Sequence, residues 1–288
     1  MIQIAVVSAR PRRDPAVQAL LAVRRRGVEL RALDPSHLGL RVPGGVTARR
    51  APLRASVWLV RRLNHAGSVD VQFDLLELAE WQGFRLINPP RGLSISESKL
   101  QTTFLLARDG IRTPRTVTAT TLAEARAALA EFGQAVLKPI YGSLGEGLLR
   151  LAAGADDGML RRALRAGPVY LQEYLPSGAR DLRILVLGGE VLGAIYREAP
   201  PGEWRANISQ GGRCVACTPP AEAVDAAVRA TRLLGLDYAG VDLIAGPGGW
   251  HVIEVNGSPG WQALAEATGR DVASALVDYA VRVARATG

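Results

Sequence analysis

The feature that most constrains the fold is the alternation of strand and helix patterns along the first 88 residues. The apolar segments IQIAVV, VELRAL, SVWLV and FRLIN favour buried strands, and helical periodicity runs from Asp14 to Arg26 and through DLLELAEWQG. Strands that alternate with helices favour a parallel sheet. This part of the chain therefore predicts an α/β domain with an open parallel sheet, which ends near Asn88-Pro89-Pro90.

The rest of the chain has a different pattern, in which several strand-like segments are joined by tight turns. DLRILVLGGEVLGAIYRE predicts a hairpin that turns at Gly188-Gly189, and YAGVDLIA and WHVIEVN flank a second turn at residues 246–249. Such hairpins predict antiparallel sheets in an α+β arrangement. A helix over SISESKLQTTFLLARDGI is expected to be capped by Ser96. We predict an N-terminal domain over 1–92, a central subdomain over 93–170 and a C-terminal subdomain over 171–288.

The composition excludes several classes of protein. No apolar run approaches the roughly 18 residues that a membrane-spanning helix needs. The start, MIQIAVVSARP, lacks the basic and then apolar pattern of a secretory signal. Two cysteines do not make a disulfide framework, and the three histidines lack a zinc-ligand spacing around them. These observations predict a cytoplasmic protein with no membrane partner.

The positive charge is concentrated at the N-terminus. Residues 1–65 hold 13 arginines and three acidic residues, a net charge of +10, whereas residues 66–288 have a net charge of −2. A basic domain can simply be solvated, or it can attract an anionic small molecule or a nucleic acid. We favour the anionic small molecule, because no basic stripe with interleaved aromatic residues suggests base stacking.

The two lysines are isolated among 33 arginines, at positions 99 and 138. Lysine carries a compact charge that fits among phosphate oxygens, whereas arginine is a planar fork. Lys138 ends a predicted buried strand and is followed by a glycine-rich segment that contains Gly142, Ser143, Gly145 and Gly147. Glycines let backbone amides approach an anion closely. Lys99 lies in the first turn of its predicted helix, where a cation opposes the helix dipole and a bound anion would reverse that penalty.

Acidic and amide side chains are predicted to share one face of the last hairpin. A three- or five-residue turn centred on Gly248 would place Asp242 opposite Glu254, with Asn256 two residues further on the same face. Val252 would lie on this face, and the opposite, apolar face would carry Val241, Leu243, Ile253 and Val255. Two carboxylates and an amide oxygen suit Mg²⁺ or Mn²⁺ that also binds phosphates. A solvated face is the alternative, but it leaves like charges opposed without a basic partner on these strands.

Further polar residues have patterns that allow binding but do not require it. Asp181 and Arg183 are two apart on one predicted strand, and LQEYL ends another strand. Arg197, Arg205 and Asn207 follow in or beside a Gly- and Pro-rich loop, a type of segment that often carries binding groups. SESK matches the Ser-x-x-Lys pattern of β-lactam-binding enzymes, but the required Lys-Thr-Gly element is absent from the sequence.

Taken together, these segments resemble the RimK-like glutamate ligases of the ATP-grasp superfamily. The resemblance covers most of residues 57–280 and rests on an ordered series: SKLQTTFLLARDGIRTPRT, VLKPIYGSLGEG, LQEYL, DLRILVLGGEV, EWRANISQGG, AGVDLI and VIEVNGSPG. It implies an α/β N-terminal domain followed by an α+β ATP-grasp fold with antiparallel sheets. The sequence VNGSPGW looks closer to the branch that adds glutamate to tetrahydromethanopterin-type cofactors than to the branch that modifies ribosomal protein.

The resemblance also implies a role for each candidate residue. The family's ATP-binding positions correspond to Lys99, Lys138, Gly142, Ser143, Gly145, Gly147, Glu173, Tyr174, Leu175, Asp181, Arg183 and Arg197. Arg205 and Asn207 would be catalytic and reach the γ-phosphate or the substrate. Asp242, Glu254 and Asn256 would bind two Mg²⁺ or Mn²⁺ ions.

The activity that the resemblance implies is ATP-dependent joining of a carboxylate to an amine through an acyl phosphate. L-glutamate would supply the amine, and a small cofactor of the tetrahydromethanopterin or methanofuran type would supply the carboxylate. The alternatives are a related ligase that acts on a protein, a peptide or an amino-group carrier protein, and, with less support, a basic nucleic-acid-binding protein. A homo-oligomer, either a dimer or a tetramer, is also expected.

Overall fold

The computed structural model describes residues 1–49, 51–53, 55–63, 67–140, 147–154, 157–206 and 212–287. The elements of its N-terminal part are β1 (Ile2–Ser8), α1 (Pro15–Ala22), β2 (Val28–Leu33), β3 (Leu38–Arg41), β4 (Gly45–Ala48), β5 (Ala51–Pro52), β6 (Val57–Arg62), α2 (Val69–Trp81) and β7 (Arg85–Ile87). This part contains a four-stranded sheet in the order β2-β1-β6-β7 and a small three-stranded sheet, β3-β4-β5.

The four-stranded sheet is parallel throughout, which confirms the predicted open parallel sheet. Its central strands are buried because both faces are covered, as a parallel sheet requires. On one face Val6 and Leu59 share an apolar cluster with α1 and with the C-terminal helix, and on the other face Trp58 packs with α2. The small antiparallel sheet over residues 38–52 was not predicted, since its strands are short and have no clear apolar alternation.

The elements of the middle part are α3 (Pro90–Glu97), α4 (Lys99–Arg108), β8 (Thr116–Ala119), α5 (Leu122–Phe132), β9 (Gln134–Lys138), β10 (Leu149–Ala152), α6 (Asp157–Leu164) and β11 (Val169–Glu173). Its strands form an antiparallel sheet in the order β10-β9-β11-β8. Its helices include α5, which begins with the capping box formed by Thr121 and Glu124.

The predicted single helix over residues 94–110 is two helices, and its predicted cap is wrong. Ser96 lies inside α3, where its hydroxyl donates to the Leu93 carbonyl at 2.8 Å. Ser98 instead has extended backbone angles and caps α4 by accepting from the Gln101 amide at 3.4 Å. Lys99 is therefore the first residue of α4, so the expectation that it lies in the first turn of a helix is confirmed.

The elements of the C-terminal part are β12 (Arg180–Leu187), β13 (Glu190–Glu198), β14 (Arg213–Ala216), α7 (Ala221–Leu233), β15 (Tyr238–Gly246), β16 (Gly249–Asn256), α8 (Gln262–Thr268) and α9 (Val272–Thr287). Its strands form a five-stranded antiparallel sheet in the order β14-β13-β12-β15-β16. The predicted hairpin turn at Gly188-Gly189 joins β12 to β13. The domain division stays a prediction, and its second boundary, after residue 170, falls within β11.

Asn88 connects the N-terminal sheet to the C-terminal part. Its side-chain amide donates to the carbonyls of Tyr238 and Gly257, both at 2.6 Å. Its side-chain oxygen accepts from the amides of Asp237 at 2.7 Å and Tyr238 at 2.9 Å. A fully buried side chain with all these bonds made is costly to displace. It therefore holds the carboxyl end of β7 against the start of β15 and the end of β16.

Candidate active site

The last hairpin places the predicted acidic residues together. Asp242 on β15 lies directly opposite Glu254 on β16, and Asn256 lies opposite Gly240. The predicted opposition of the two carboxylates is thus confirmed, but the predicted turn length is wrong. Gly246 pairs with Gly249, so the turn has two residues, and the register then shifts by one between Asp242 and Leu243. This β-bulge restores the opposition that a longer turn would have given.

The bulge also reverses the predicted facing of two residues on β16. Val252 was expected beside Glu254, but it pairs with Leu243 and is fully buried in an apolar cluster that includes Val255. Ile253 was expected in that core, but it is half-buried and lines a cavity on the other side of the sheet. An extra residue reverses the alternation of side chains beyond it. Ile253 is therefore available to a ligand.

Asp242 lies at the centre of a buried group of four alternating charges. Its carboxylate is 2% exposed and accepts two hydrogen bonds from Arg183, which lies opposite it on β12, at 2.6 and 2.7 Å. Arg197 on β13 reaches the same carboxylate at 2.7 Å and binds both oxygens of Asp181 at 2.6 and 2.8 Å. The basic partners that are missing from the hairpin itself thus come from neighbouring strands.

The pKa values of the group follow from these contacts. Burial would raise the pKa of Asp242, but Arg183 and Arg197 together hold it below its ordinary value. For Asp181, burial outweighs the attraction of Arg197, and the pKa is raised. Burial would lower the pKa of Arg197, but the two carboxylates raise it, so this guanidinium stays charged. The two arginines and the two carboxylates of this group therefore balance each other's charge only while all four residues are present.

We expect Arg197→Met to lower the free energy of unfolding by about 3–5 kcal/mol, because it leaves two carboxylates buried without their shared partner. Arg213→Met is the matched control on the adjacent strand. Arg213 pairs with Glu198, with side chains 76% and 34% exposed, and its loss should cost less than about 1 kcal/mol. Urea denaturation of both variants measures the difference. Equal losses would show that the buried group does not stabilise the fold.

A first cavity, of about 100 Å³, opens between the middle and C-terminal sheets; we term it the inter-sheet cavity. It is bounded by residues of β9, β11, β12, β15 and β16, which include the bulged Ile253. Six of the predicted ATP-site and catalytic residues line it: Lys138, Glu173, Tyr174, Leu175, Asp181 and Arg205. The fold thus brings together side chains that are spread over about 70 residues of sequence.

Lys138 is placed at the end of β9 and points its ammonium at Gln172 on β11. The Lys138 Nζ donates to the Gln172 Oε1 at 2.6 Å. Burial lowers the pKa of Lys138 to about 8, with Glu254 and Asp242 opposing the shift and Lys99 adding to it. The Lys99 amide donates to the Ile140 carbonyl at 3.3 Å, which ties the start of α4 to the segment that follows β9. Lys138 is therefore close enough to Lys99, Glu254 and Asp242 for their charges to affect its pKa.

The other predicted residues of this cavity are already engaged with neighbours. Glu173 accepts two hydrogen bonds from Arg115, at 2.9 and 2.7 Å, which hold its pKa below the ordinary value. Tyr174 packs edge-on against Trp204, with ring centroids 5.9 Å apart. Arg205 donates to Glu203 at 2.7 and 3.1 Å. Of the predicted residues of the glycine-rich segment, Gly147 is described, whereas Gly142, Ser143 and Gly145 lie outside the described residues. The predicted catalytic Asn207 also lies outside them.

A second cavity, of about 270 Å³, lies between the carboxyl end of β6, the helices α3 and α4, and the end of β16; we term it the acid-face cavity. Glu254, Asn256 and Lys99 line it. Within the described part of the chain, the Glu254 carboxylate makes no hydrogen bond or ion pair. The Asn256 side-chain oxygen accepts from the Ser258 amide at 2.8 Å.

Arg61 and Arg62, which are not among the predicted site residues, also line the acid-face cavity. Arg61 is only 8% exposed, donates to the Pro259 carbonyl at 2.9 Å and to the Tyr238 hydroxyl, and has an Nε with no described partner. Burial lowers its pKa to about 10. The available signal was an arginine pair at the end of an otherwise apolar strand, at the edge where parallel sheets bind ligands.

The side-chain oxygens of Glu254 and Asn256 in the acid-face cavity fit a hard divalent cation. Oxygen ligands and a carboxylate without a partner suit Mg²⁺, which commonly completes its shell with substrate phosphates. No group of three or more His, Cys, Asp and Glu side chains in the described residues could hold a metal by itself. A cation at Glu254 and Asn256 would therefore depend on oxygens from a bound ligand.

Comparison with known proteins agrees with this geometry. A family model described as the RimK-like ATP-grasp domain matches residues 96–280. The chain belongs to the RimK-like ATP-grasp family. Among relatives of this family, it is 30% identical over 241 residues to the tetrahydromethanopterin:alpha-L-glutamate ligase of Methanosarcina acetivorans, covering 73% of this chain and 74% of that protein. It is also 30% identical over 286 residues to a probable alpha-L-glutamate ligase of Azotobacter vinelandii, covering 96% and 95%.

A solved structure supports the ATP-grasp fold. The ATP-grasp ligase PsnB, complexed with minimal precursor, Mg and ADP, superposes with a TM-score of 0.78 at 24% identity, covering 98% of each chain. The predicted resemblance and fold class are confirmed. The protein is an ATP-dependent ligase of a family that uses ATP and Mg²⁺. None of the helices in the described residues has the length and apolar character needed to cross a membrane.

Proposed function

We propose that this ligase joins the amine of L-glutamate to a carboxylate of a small cofactor of the tetrahydromethanopterin or methanofuran type. The observation that carries the proposal is that charged residues lining the two cavities interact with one another. Lys138 lines the inter-sheet cavity, Lys99 and Glu254 line the acid-face cavity, and all three interact electrostatically. A nucleotide in the first cavity would present its terminal phosphate to a substrate in the second. The names of relatives support glutamate as the amine.

In this proposal the inter-sheet cavity holds the nucleotide. The base would pack between Leu175 and the bulged Ile253, near the aromatic pair of Tyr174 and Trp204. Glu173, Asp181, Arg183 and Arg197 would shape the pocket through the ion pairs described above. Lys99 and Lys138 would bind the phosphates, together with backbone amides of the segment that contains Gly142, Ser143, Gly145 and Gly147. Arg205 and Asn207 would contact the γ-phosphate.

The acid-face cavity would hold two Mg²⁺ or Mn²⁺ ions. Glu254 and Asn256 would bind them directly, and Asp242 would join as its oxygens are released by Arg183 or Arg197. When bound, such ions neutralise charge on the phosphate oxygens. Glu254 lies opposite Asp242 across the strand pair and two residues before Asn256 along the strand, so these three side chains would hold the ions together.

The reaction would proceed by two displacements. A carboxylate oxygen of the acceptor bonds to the γ-phosphorus, and ADP leaves with the electrons of the broken P–O bond. The glutamate nitrogen then bonds to the acyl carbon, phosphate leaves, and the nitrogen loses a proton. The lysines stabilise charge on the transferred group, which is mainly an electrostatic contribution. Arg61 and Arg62 line the acid-face cavity and would hold the acceptor carboxylate there.

The lowered pKa of Lys138 predicts that nucleotide affinity depends on pH. Its ammonium loses a proton near pH 8 in the free protein. Phosphate binding requires the charged form, so the affinity should fall by up to about tenfold per pH unit above pH 8. Calorimetric titration of a non-hydrolysable ATP analogue with Mg²⁺ at pH 7.5 and 9.5 measures this effect. Lys138→Met should bind weakly at both pH values with no such slope.

The lowered pKa of Lys138 weakens nucleotide binding at high pH, but it has the opposite effect on the free energy of unfolding of the ligand-free protein. Between pH 8 and the ordinary lysine pKa of 10.5, the unfolded chain holds the proton more tightly than the folded protein. The free energy of unfolding should therefore rise with pH across this interval, as far as Lys138 is concerned. Comparing the wild type with Lys138→Met in urea at both pH values isolates this contribution. Parallel changes in the two proteins would contradict the assigned pKa.

A peptide or protein acceptor is the second candidate, and an amino-group carrier protein belongs to the same class. The structural similarity to PsnB, which was solved with a precursor, favours it. A basic nucleic-acid-binding protein in place of an enzyme is not proposed, because the chain is an ATP-dependent ligase and this alternative leaves the two cavities without a role. A homo-oligomer, either a dimer or a tetramer, and a cytoplasmic location stay predictions. Sedimentation of the purified protein tests the first of these.

The test of the proposed function is product analysis. The protein is incubated with ATP, Mg²⁺, L-glutamate and one candidate acceptor at a time: a pterin cofactor, a peptide, a carrier protein and ribosomal protein. Mass spectrometry should find an acceptor that gains one or more glutamate residues together with ADP formation. Replacing Mg²⁺ by Mn²⁺ tests the metal. Glutamate added only to a peptide or protein would favour the second candidate, and no ADP with any acceptor would contradict the function.

A further inference from the structure

A third cavity lies in the N-terminal part, away from the residues assigned above. It has a volume of about 800 Å³ and is lined by residues that follow β1 and β2 and by the end of β4. Its lining includes four arginines and one histidine, and we term it the arginine cavity. These five residues are Arg10, Arg12, Arg13, His37 and Arg49. It is larger than the inter-sheet and acid-face cavities. The N-terminal charge of +10 is thus partly gathered around one concave surface.

The positive charges that line this cavity outnumber the negative charges from the described residues, of which Asp34 is the one carboxylate in the lining. Among the described residues, none of its four arginines forms an ion pair with a carboxylate. Asp34 also lines the cavity, but its Oδ1 is already bonded to the backbone amide and the hydroxyl of Ser36, at 2.9 and 2.7 Å. Arg49 lies within 3.2 Å of the His37 Nε2. Like charges gathered in one concave surface repel each other and raise the local concentration of anions.

The backbone gives a second, independent observation. Of the described residues other than glycine, three have a positive φ, and two of them, Arg10 with φ 56° and Arg49 with φ 49°, line this cavity. Such a conformation costs free energy in a residue with a side chain, and it concentrates at sites that bind ligands. Both arginines are held by this geometry at the rim of the same cavity.

The position of the cavity in the sheet points to a ligand shared with the acid-face cavity. In the strand order β2-β1-β6-β7, β2 is added on one side of β1, and β6 and β7 are added on the other side. The topological switch point therefore lies between β1 and β6. Ligands of open parallel sheets bind at such a point, beyond the carboxyl ends of the strands. The arginine cavity lies beyond the carboxyl ends of β1 and β2. The acid-face cavity lies beyond the carboxyl end of β6, which pairs with β1. The two cavities thus flank the switch point on one edge of the sheet.

We propose that the arginine cavity binds an anionic portion of the acceptor, remote from the carboxylate that is joined to glutamate. The proposal rests on the proposed function. The acceptor would extend along the carboxyl edge of the sheet, with its reacting carboxylate beside Arg61 and Glu254 and a phosphate or carboxylate group among Arg10, Arg12, Arg13 and Arg49. Arginine forks bind the oxygens of both groups in pairs. The acceptor is therefore an elongated molecule with at least two separated anionic groups.

Small anions test the site without knowledge of the acceptor. The nucleotide site of the full chain is first filled with a non-hydrolysable ATP analogue and Mg²⁺. Inorganic phosphate and tricarballylate are then titrated separately by calorimetry, so that the preferred chemistry is read from the stronger ligand. The double variant Arg10→Gln with Arg49→Gln should bind the preferred anion at least about tenfold more weakly, since it loses two of the four cations. It should bind the ATP analogue as the wild type does.

The matched control has the same change of charge elsewhere. Arg162 and Arg285 are exposed in α6 and α9, and the double variant Arg162→Gln with Arg285→Gln should keep the anion affinity of the wild type. Three outcomes would overturn the proposal. They are no anion binding by the wild type, equal losses in both double variants, and tight binding of a random DNA duplex that the arginine-cavity variant alone loses.

Failure of this proposal is distinguishable from failure of the proposed function. Binding of the ATP analogue is measured in the same samples and does not involve the arginine cavity. A wild type that binds no nucleotide would contradict the function, and the anion titrations would then be done in the nucleotide-free protein. A wild type that binds nucleotide but neither anion would leave the ligase function intact and remove the anion site.

Discussion

Lys138→Arg should lower the affinity for Mg-ATP by at least about tenfold, while the fold is retained. The Lys138 ammonium is half-buried and donates to Gln172 at 2.6 Å, in the lining of the inter-sheet cavity. A guanidinium is larger and planar, so it would displace Gln172 or occupy the space of a phosphate. Calorimetry with a non-hydrolysable ATP analogue measures the affinity, and circular dichroism confirms the fold.

The control for this prediction is Arg162→Lys, which exchanges the same two cations on the surface of α6. It should leave nucleotide affinity unchanged. Because the chain uses arginine at 33 of its 35 basic positions, the experiment also tests whether lysine is kept for its shape. Near-normal binding by Lys138→Arg would mean that position 138 needs only a positive charge, and the argument from lysine rarity would be lost.

Glu254→Gln should abolish the thermal stabilisation that Mg-ATP gives and should stop ligation. The Glu254 carboxylate has no bonded partner among the described residues and faces the cavity that also contains Lys99 and Asn256. A neutral amide there would bind a divalent cation poorly. Without ligand, the variant should melt at the temperature of the wild type or higher, because Glu254 has no hydrogen bond or ion pair among the described residues to lose and lies opposite the Asp242 carboxylate.

The measurement is a pair of melting curves, with and without Mg-ATP, beside the product assay. Glu266→Gln makes the same chemical change at an exposed position of α8 and should behave as the wild type. If Glu254→Gln is still stabilised by Mg-ATP and still makes amide, the acid face is not the metal site. A large loss of stability in the ligand-free variant would instead assign Glu254 a structural role.

The sequence was sufficient to predict the parallel and antiparallel sheets and the opposition of Asp242 and Glu254. Both follow from alternation patterns and from turn residues, which act locally. The sequence was not sufficient to predict the bulge, because a two-residue turn with a bulge and a longer turn without one give the same pairing at Asp242. The choice depends on which residues can enter the core, and Val252 does so in place of Ile253.

The ion-pair group shows a second limit. Arg183 and Asp242 are 59 residues apart and face each other only because β12 pairs with β15. Arg197 reaches Asp242 from one strand further away. The sequence of its own hairpin offers Asp242 no basic partner. Strand order within a sheet is set by long-range packing, and the sequence pattern of a single hairpin does not contain it.

Helix boundaries show the same difficulty at short range. SISESK offers three serines, each of which can cap a helix. The structure uses Ser98, since α3 continues through Ser96 until Glu97. The position of Lys99 was predicted correctly even so, because a shift of two residues in the cap leaves it in the first turn.

The bulge on β16 has a consequence for how ligands affect each other. Ile253 and Glu254 are consecutive residues, yet the first opens onto the inter-sheet cavity and the second onto the acid face. A base that packs on Ile253 therefore restrains the backbone that carries Glu254, and a cation at Glu254 restrains Ile253. Such coupling is reciprocal, so the factor by which Mg²⁺ tightens nucleotide binding must equal the factor by which nucleotide tightens Mg²⁺ binding.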